Sequence, residues 1–308
     1  QVRGRSGTTR PALWLSSRVA TLYLVSTPIG NLGDLSPRAA ETLRTVSRIL
    51  AEDTRRTRVL ADHVGAEAPL VSLHQHNERA RLDTVLHWLE AGEDLALVSD
   101  AGTPLVSDPG SRVVAEVAEA GHDVVPIPGP SAVLAALAGS GLPTERFTFL
   151  GFPARKGRAR AADLERVAAA ADATVLFESP NRLVSLLDDL VATCGAERSV
   201  AVARELTKLH EEFVRGTLAE VAAYYRERPP RGEVTLVVGP VVETDDLEAI
   251  RARAAGLARE LLEGGMKPSA AAREVARQLG LARNEAYRIV HDSTDAGEAS
   301  EGHATTDE

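Results

Sequence analysis

The chain has 308 residues, 44% hydrophobic and 26% charged, a profile that fits one large or two ordinary globular domains. No apolar run reaches the ~18–20 residues of a membrane span, and a net charge of −9 argues against a general nucleic-acid binder that works by neutralising phosphates. A single cysteine, Cys194, excludes both a disulfide framework and a cysteine-ligated metal site within one chain.

Residues 1–19 hold Arg3, Arg5, Arg10 and Arg18 around an apolar stretch too short for a signal-peptide core, and read as a flexible extension of a cytoplasmic protein. From Thr21 short β-branched runs alternate with helical patterns. The runs cover 22–26, 48–51, 70–73, 95–99 and 124–127. The helices cover 37–46, 54–64, 78–91, 111–120 and 131–138. This βαβ rhythm predicts an α/β domain over 20–140, with a mainly parallel sheet covered by helices on both faces. A second α/β domain with a mixed sheet is expected over 141–243, with strands at 147–151, 174–178, 199–204 and 234–239. Residues 244–291 read as a small helical unit. Within it, 268–290 has the pattern of a helix-turn-helix, with Gly280 at the turn. The acidic tail, 292–308, is expected to be disordered.

Ligands of a parallel sheet bind beyond the carboxyl ends of its strands. The segments at those ends read TPIGNLGDLSP (27–37), EDTRRT (52–57), HQHNE (74–78), SDAGTPLVSDPG (99–110) and PGPSA (128–132). All are rich in Gly, Pro or small polar residues, as close backbone approach to a ligand requires; Gly102 and Gly129 are the clearest cases. No GxGxxG follows the first strand and no P-loop occurs, so dinucleotide and P-loop nucleotide binding lose their main support.

The motifs TPIGNLGDLSPRA, AEDTRRT, LVSDAGTPLVSDPG, PGPSA, GFPARKG, FES and RELTK occur in this order between Leu22 and Gly239. Together they resemble the tetrapyrrole-methylase superfamily, in its branch of bacterial 16S rRNA (cytidine 2′-O)-methyltransferases. The resemblance implies two α/β domains with S-adenosylmethionine in the cleft between them, a homodimer, and as substrate a cytidine of 16S rRNA in the decoding centre of the small ribosomal subunit. It implies neither a membrane nor a DNA partner. Carried over by position, it implies cofactor contacts at Pro28, Asp100, Gly102, Thr103, Val106, Ser131 and Ala132, and from the second domain at Leu176 and Thr235.

A ribose 2′-hydroxyl is a poor nucleophile, so a general base or a cation for the forming alkoxide is expected. Asp53, His76, Glu205 and Lys208 stand at the right edge. Each has a plain alternative: Asp53 as a helix cap, His76 as a surface loop residue, Glu205 and Lys208 as a structural ion pair. No metal site is expected around His74 and His76. Arg55 and Asn77 suit phosphate or base contacts, and Arg155, Lys156, Arg158 and Arg160 form a basic loop suited to RNA phosphates. Two rival functions remain: a precorrin or uroporphyrinogen C-methyltransferase of the same superfamily, and a helix-turn-helix regulator.

Overall fold

The computed structural model describes residues 19–241 and 244–301; residues 1–18 of the expected extension and 302–308 of the expected tail lie outside the described residues. The chain divides into two compact units, Gln1–Ser131 and Ala132–Glu308.

The first unit runs β1 (Thr21–Val25), α1 (Pro37–Thr45), β2 (Arg48–Ala51), α2 (Thr54–Val64), β3 (Leu70–Ser72), α3 (Glu78–Glu90), β4 (Leu95–Val98), α4 (Ser111–Glu119) and β5 (Asp123–Ile127). Its sheet has the order β3-β2-β4-β1-β5 and every pairing is parallel. Both faces are covered, so the central strands are apolar throughout; all four residues of β4 are buried. Ile49, Ala51, Ala96 and Val98 pack against Leu43 of α1 and Leu60 and Val64 of α2. Leu22, Leu50, Leu95 and Leu97 pack on the opposite face against Val85 and Leu89 of α3 and Val113 and Val117 of α4. Local signals set the helix starts: Ser36 accepts from the Ala39 N–H with Pro37 in the first turn, and Asp53 accepts from the Arg55 N–H. The parallel arrangement puts the carboxyl ends of all five strands on one edge.

The second unit runs α5 (Ala132–Ser140), β6 (Phe147–Gly151), α6 (Gly157–Ala169), β7 (Ala173–Glu178), α7 (Leu183–Cys194), β8 (Ser199–Arg204), β9 (Glu212–Thr217), α8 (Leu218–Glu227), β10 (Val234–Val238), α9 (Thr244–Glu263), α10 (Pro268–Leu279) and α11 (Arg283–Glu301). Its sheet, β6-β7-β10-β8-β9, is mixed, with β6 and β7 parallel and the rest antiparallel. One face, with Leu176, Val202 and Leu236, is sealed by Leu164 and Val167 of α6, the leucines of α7, and Leu218, Val221 and Tyr225 of α8. Helix α5 packs on β8 and β10. It approaches so closely that a Cβ on Gly139 would sit 2.3 Å from the Phe213 ring. Arg198, 8% exposed, donates to the carbonyls of Val167, Ala170 and Gly239 and ties three chain segments together. Helices α9, α10 and α11 share a core of small residues around Ala254, Ala271, Ala272, Val275 and Ala286.

Three sequence expectations shift. The boundary falls at 131/132 and not at 140, because α5 carries no polar face and buries Val133, Ala136 and Leu137 within the second unit. Strand β9 is absent from the predicted elements, because an edge strand with Glu212, Arg215 and Gly216 lacks an apolar run. Helix α11 continues to Glu301, eleven residues beyond the Val290 expected as its end. No proline stops it, and extending a formed helix costs little.

Candidate active site

The strand ends of the first unit are tied to one another before any ligand is considered. Thr27 and Gly102 exchange backbone hydrogen bonds of 2.9 and 3.0 Å, joining the loops after β1 and β4. Gly102 has φ +86°, where a side chain is strained. The Thr27 hydroxyl donates to the Ser99 carbonyl, and the Ser26 hydroxyl donates to Oγ1 of Thr103 at 3.3 Å. Gly129 also has a neighbour within the protein. A Cβ there would meet Ser26 Cβ at 2.9 Å and its carbonyl at 3.3 Å, so the close approach of Ser26 by itself requires the glycine. Past Gly102 the chain is strained, with Leu105 at φ 72° and Ser107 at φ 67°.

This edge concentrates carboxylates. Asp100 accepts from the Asp53 N–H at 3.0 Å and lies 3.5 Å from the Arg56 guanidinium. Burial, then the charge of Asp100, pushes Glu52 above the usual carboxylate range. Burial, followed by the charge of Glu52, raises Asp108 to about 6, with Asp100 adding to the rise and a Ser99 hydrogen bond opposing it. Glu52 and Asp108 are absent from the sequence-derived candidates. The available signal was their position, directly after a strand and inside the SDPG turn of the same edge.

A pocket opens beside these acids, with Thr27, Pro28, Arg56, Thr57, Ser99 and Asp100 among its walls. The Thr57 hydroxyl is buried there with no hydrogen-bond partner among the described residues. Pro28 and Asp100 are thus brought together, with Gly102 and Thr103 in the adjoining loop. Val106 is 38% exposed, and its N–H is engaged by the Thr103 carbonyl at 3.4 Å. Ser131 ends the first unit and Ala132 opens α5 in the second.

Leu176 and Thr235 do not stand together. Leu176 is fully buried under α6, α7 and α8, whereas Thr235 pairs with Phe177 and Ala203 on the opposite face of the sheet. Alternation along the strand turns these side chains to opposite faces, so the Leu176 side chain is core and cannot wall a ligand beside Thr235.

Of the proton-transfer candidates, Asp53 caps α2 and pairs with the Arg55 guanidinium at 2.7 Å. Its bonds from Arg55 hold it down at about 2. Lys208 lies 2.9 Å from Glu205 and 3.1 Å from Glu233. Glu205 is lowered, first by the Lys208 hydrogen bond; Lys208 is raised by its bonds to Glu205 and Glu233, against desolvation. His76 is exposed in the loop after β3, its N–H donating to Nδ1 of His74. Among the described residues, no three His, Cys, Asp or Glu side chains are grouped so as to hold a metal ion.

Two RNA candidates are committed elsewhere. Asn77 accepts from the His74 N–H and donates to the Ser72 carbonyl, so its amide is spent closing the loop. Arg160, with a side chain 12% exposed, pairs with Asp189 and donates to the Ala154 carbonyl, fastening α6 to α7. Arg155, Lys156 and Arg158 are exposed at the start of α6 and have no ion-pair partner among the described residues. Arg55 is 89% exposed, although held to Asp53.

The parallel sheet with a loop-built, acidic edge and the mixed sheet that follows define a two-unit α/β architecture. Residues 21–222 match the tetrapyrrole (corrin/porphyrin) methylases, and the chain belongs to that family. Relatives named ribosomal RNA small subunit methyltransferase I are similar over most of their length. The protein of Synechocystis is 46% identical over 268 residues, covering 87% of this chain and 96% of that one. The Bacillus subtilis protein is 39% identical, covering 90% and 94%. Among solved structures, a Thermus thermophilus uroporphyrin-III C-methyltransferase complexed with S-adenosylhomocysteine has a TM-score of 0.53 at 21% identity, covering 72% of this chain and 98% of its own. A cobalt precorrin-4 methyltransferase has a TM-score of 0.56 at 18% identity, covering 71% and 94%. At these identities the structures share the fold.

Proposed function

We propose that this chain transfers the methyl group of S-adenosylmethionine to rRNA of the small ribosomal subunit, at the 2′-hydroxyl of a cytidine in the decoding centre of 16S rRNA. The observation that carries this reading is the likeness to the rRNA methyltransferases. At 268 aligned residues it is longer than the 21–222 family match and so takes in sequence outside it.

The residues at the first unit's edge suit the cofactor. S-adenosylmethionine supplies an electrophilic methyl on a sulfonium, and carries a second positive charge on its ammonium. Burial and neighbouring carboxylates make Glu52 and Asp108 costly to ionise, with Arg56 as counter-charge on the adjacent Asp100, so a cation brought to this edge is stabilised. The unpaired Thr57 hydroxyl offers a donor to a polar ligand atom in the adjoining pocket.

In-line displacement needs the acceptor oxygen aligned with the methyl, and alignment supplies much of the rate. Of the four candidates read from the sequence, Asp53, Glu205 and Lys208 are occupied in ion pairs, and His76 is taken as the proton acceptor on the sheet's ligand edge. Arg155, Lys156 and Arg158 hold RNA phosphates, so an acidic protein grips its substrate through a local patch. The same reading has the protein act in the cytoplasm, as a homodimer, on the assembled subunit. Mapping the modified nucleotide tests it: undermethylated subunits incubated with the protein gain one alkali-resistant linkage at a decoding-centre cytidine. A methyl on a base, or on the large subunit, overturns it.

A further inference from the structure

The second unit carries a pocket lined by none of the residues assigned above to the transfer reaction. Arg204 at the end of β8, Glu212 at the start of β9, Tyr224 and Tyr225 of α8, and Arg228 and Arg231 beyond α8 form its walls. Glu212 is spent inside the wall, accepting from Arg204 at 3.0 Å and from the Tyr224 hydroxyl at 3.0 Å. The guanidinium of Arg228 lies over the Tyr224 ring, 4.8 Å from its centre. Arg228 and Arg231 are exposed and have no ion-pair partner among the described residues. Three arginines against one glutamate leave the pocket positive in a protein of net charge −9.

The floor holds an unmet hydrogen bond. Tyr225 is 1% exposed, and its hydroxyl has no partner among the described residues. Tyr225 is itself one of the walls of this pocket. A buried donor without a partner is costly, and a ligand atom that completes it accounts for its retention.

We propose that this pocket binds a single-stranded nucleotide of the RNA substrate, distinct from the one that is methylated. The phosphate lies against Arg228 and Arg231, because guanidinium groups recognise phosphate with paired, charge-assisted hydrogen bonds. The base stacks on the outer face of the Arg228 guanidinium, whose inner face is already on Tyr224; Arg planes and aromatic rings are common platforms for unpaired bases. The Tyr225 hydroxyl donates to an acceptor on the base or sugar. The inference rests on the reading of rRNA as the substrate, and it assigns a second anchoring point for it.

The test uses the full chain, undermethylated small subunits and the variants Arg228→Ala, Arg231→Ala and Tyr225→Phe, none of which removes a core apolar contact. Arg228→Ala is expected to raise KM for the subunits about tenfold, the scale of one lost stacking contact. Each arginine variant also reduces the slope of log KM against log salt by about one. Tyr225→Phe raises KM several-fold while holding or raising the thermal midpoint, a combination that a purely structural hydroxyl does not produce. In all three, kcat and affinity for S-adenosylmethionine stay at the wild-type level. Wild-type activity on subunits together with unchanged KM in the three variants overturns the pocket assignment alone. A wild-type protein that does not methylate subunits overturns the substrate reading and this inference with it.

Discussion

Replacing Asp108 with Asn removes a charge that the folded edge holds at a cost. Asp108 rises from the ordinary 3.8 to about 6, through burial first and the charge of Glu52 next. For a fully shielded group that rise corresponds to roughly 3 kcal/mol; Asp108 is half-buried, and solvent screening reduces the figure to about 1 kcal/mol. The sign follows from proton binding. An acid with a raised folded-state pKa binds more protons folded than unfolded, so stability is fully present below 3.8 and is lost as the pH rises through about 6. Asp108→Asn therefore stabilises the protein by about 1 kcal/mol near pH 8 and changes little near pH 4, measured by urea unfolding at both pH values. The same substitution weakens binding of S-adenosylmethionine more than that of S-adenosylhomocysteine, because only the former brings the sulfonium charge. An equal stability change at both pH values, or destabilisation near pH 8, refutes the reasoning about this acid cluster.

Three further outcomes are expected. His76→Ala lowers kcat on small subunits about a hundredfold with KM held, the scale of one general base; a change of less than about threefold in single-turnover rates leaves alignment as the whole source of rate. Arg160→Ala destabilises the second unit by ~1–3 kcal/mol through its lost bonds to Asp189 and Ala154, whereas Arg158→Glu leaves the unfolding midpoint unchanged and weakens RNA binding; reversed behaviour of the pair contradicts their assignments. Gly139→Ala forces a Cβ to 2.3 Å from the Phe213 ring, so the ring or α5 must shift. A loss of ~1–3 kcal/mol is expected for such overpacking, measurable as a lower thermal midpoint.

Much of the first unit was legible because parallel strands buried on both faces read as plain apolar runs, with Ser36-Pro37 and Asp53 marking the helix starts. Strand β9 was not, since its own residues, interrupted by Arg215 and Gly216, do not announce the hairpin it forms with β8. The ligand edge was legible as a set of loops. What each residue does there depends on partners far away in sequence. Arg160 reads as one of four basic residues until Asp189, 29 positions on, claims it. Asn77 reads as a polar contact until its amide closes the loop on Ser72. Leu176 reads as a wall until strand alternation turns it inward. The raised carboxyls of Glu52 and Asp108 arise in part from charges brought together by folding, Glu52 lying 48 positions from Asp100 and 56 from Asp108, which no local pattern encodes.

The most direct test of the central claim is transfer from methyl-labelled S-adenosylmethionine offered undermethylated small ribosomal subunits and, separately, uroporphyrinogen. The account predicts label in 16S rRNA, recovered as a single 2′-O-methylated cytidine, and none in the tetrapyrrole. Label in the tetrapyrrole with unlabelled rRNA contradicts it.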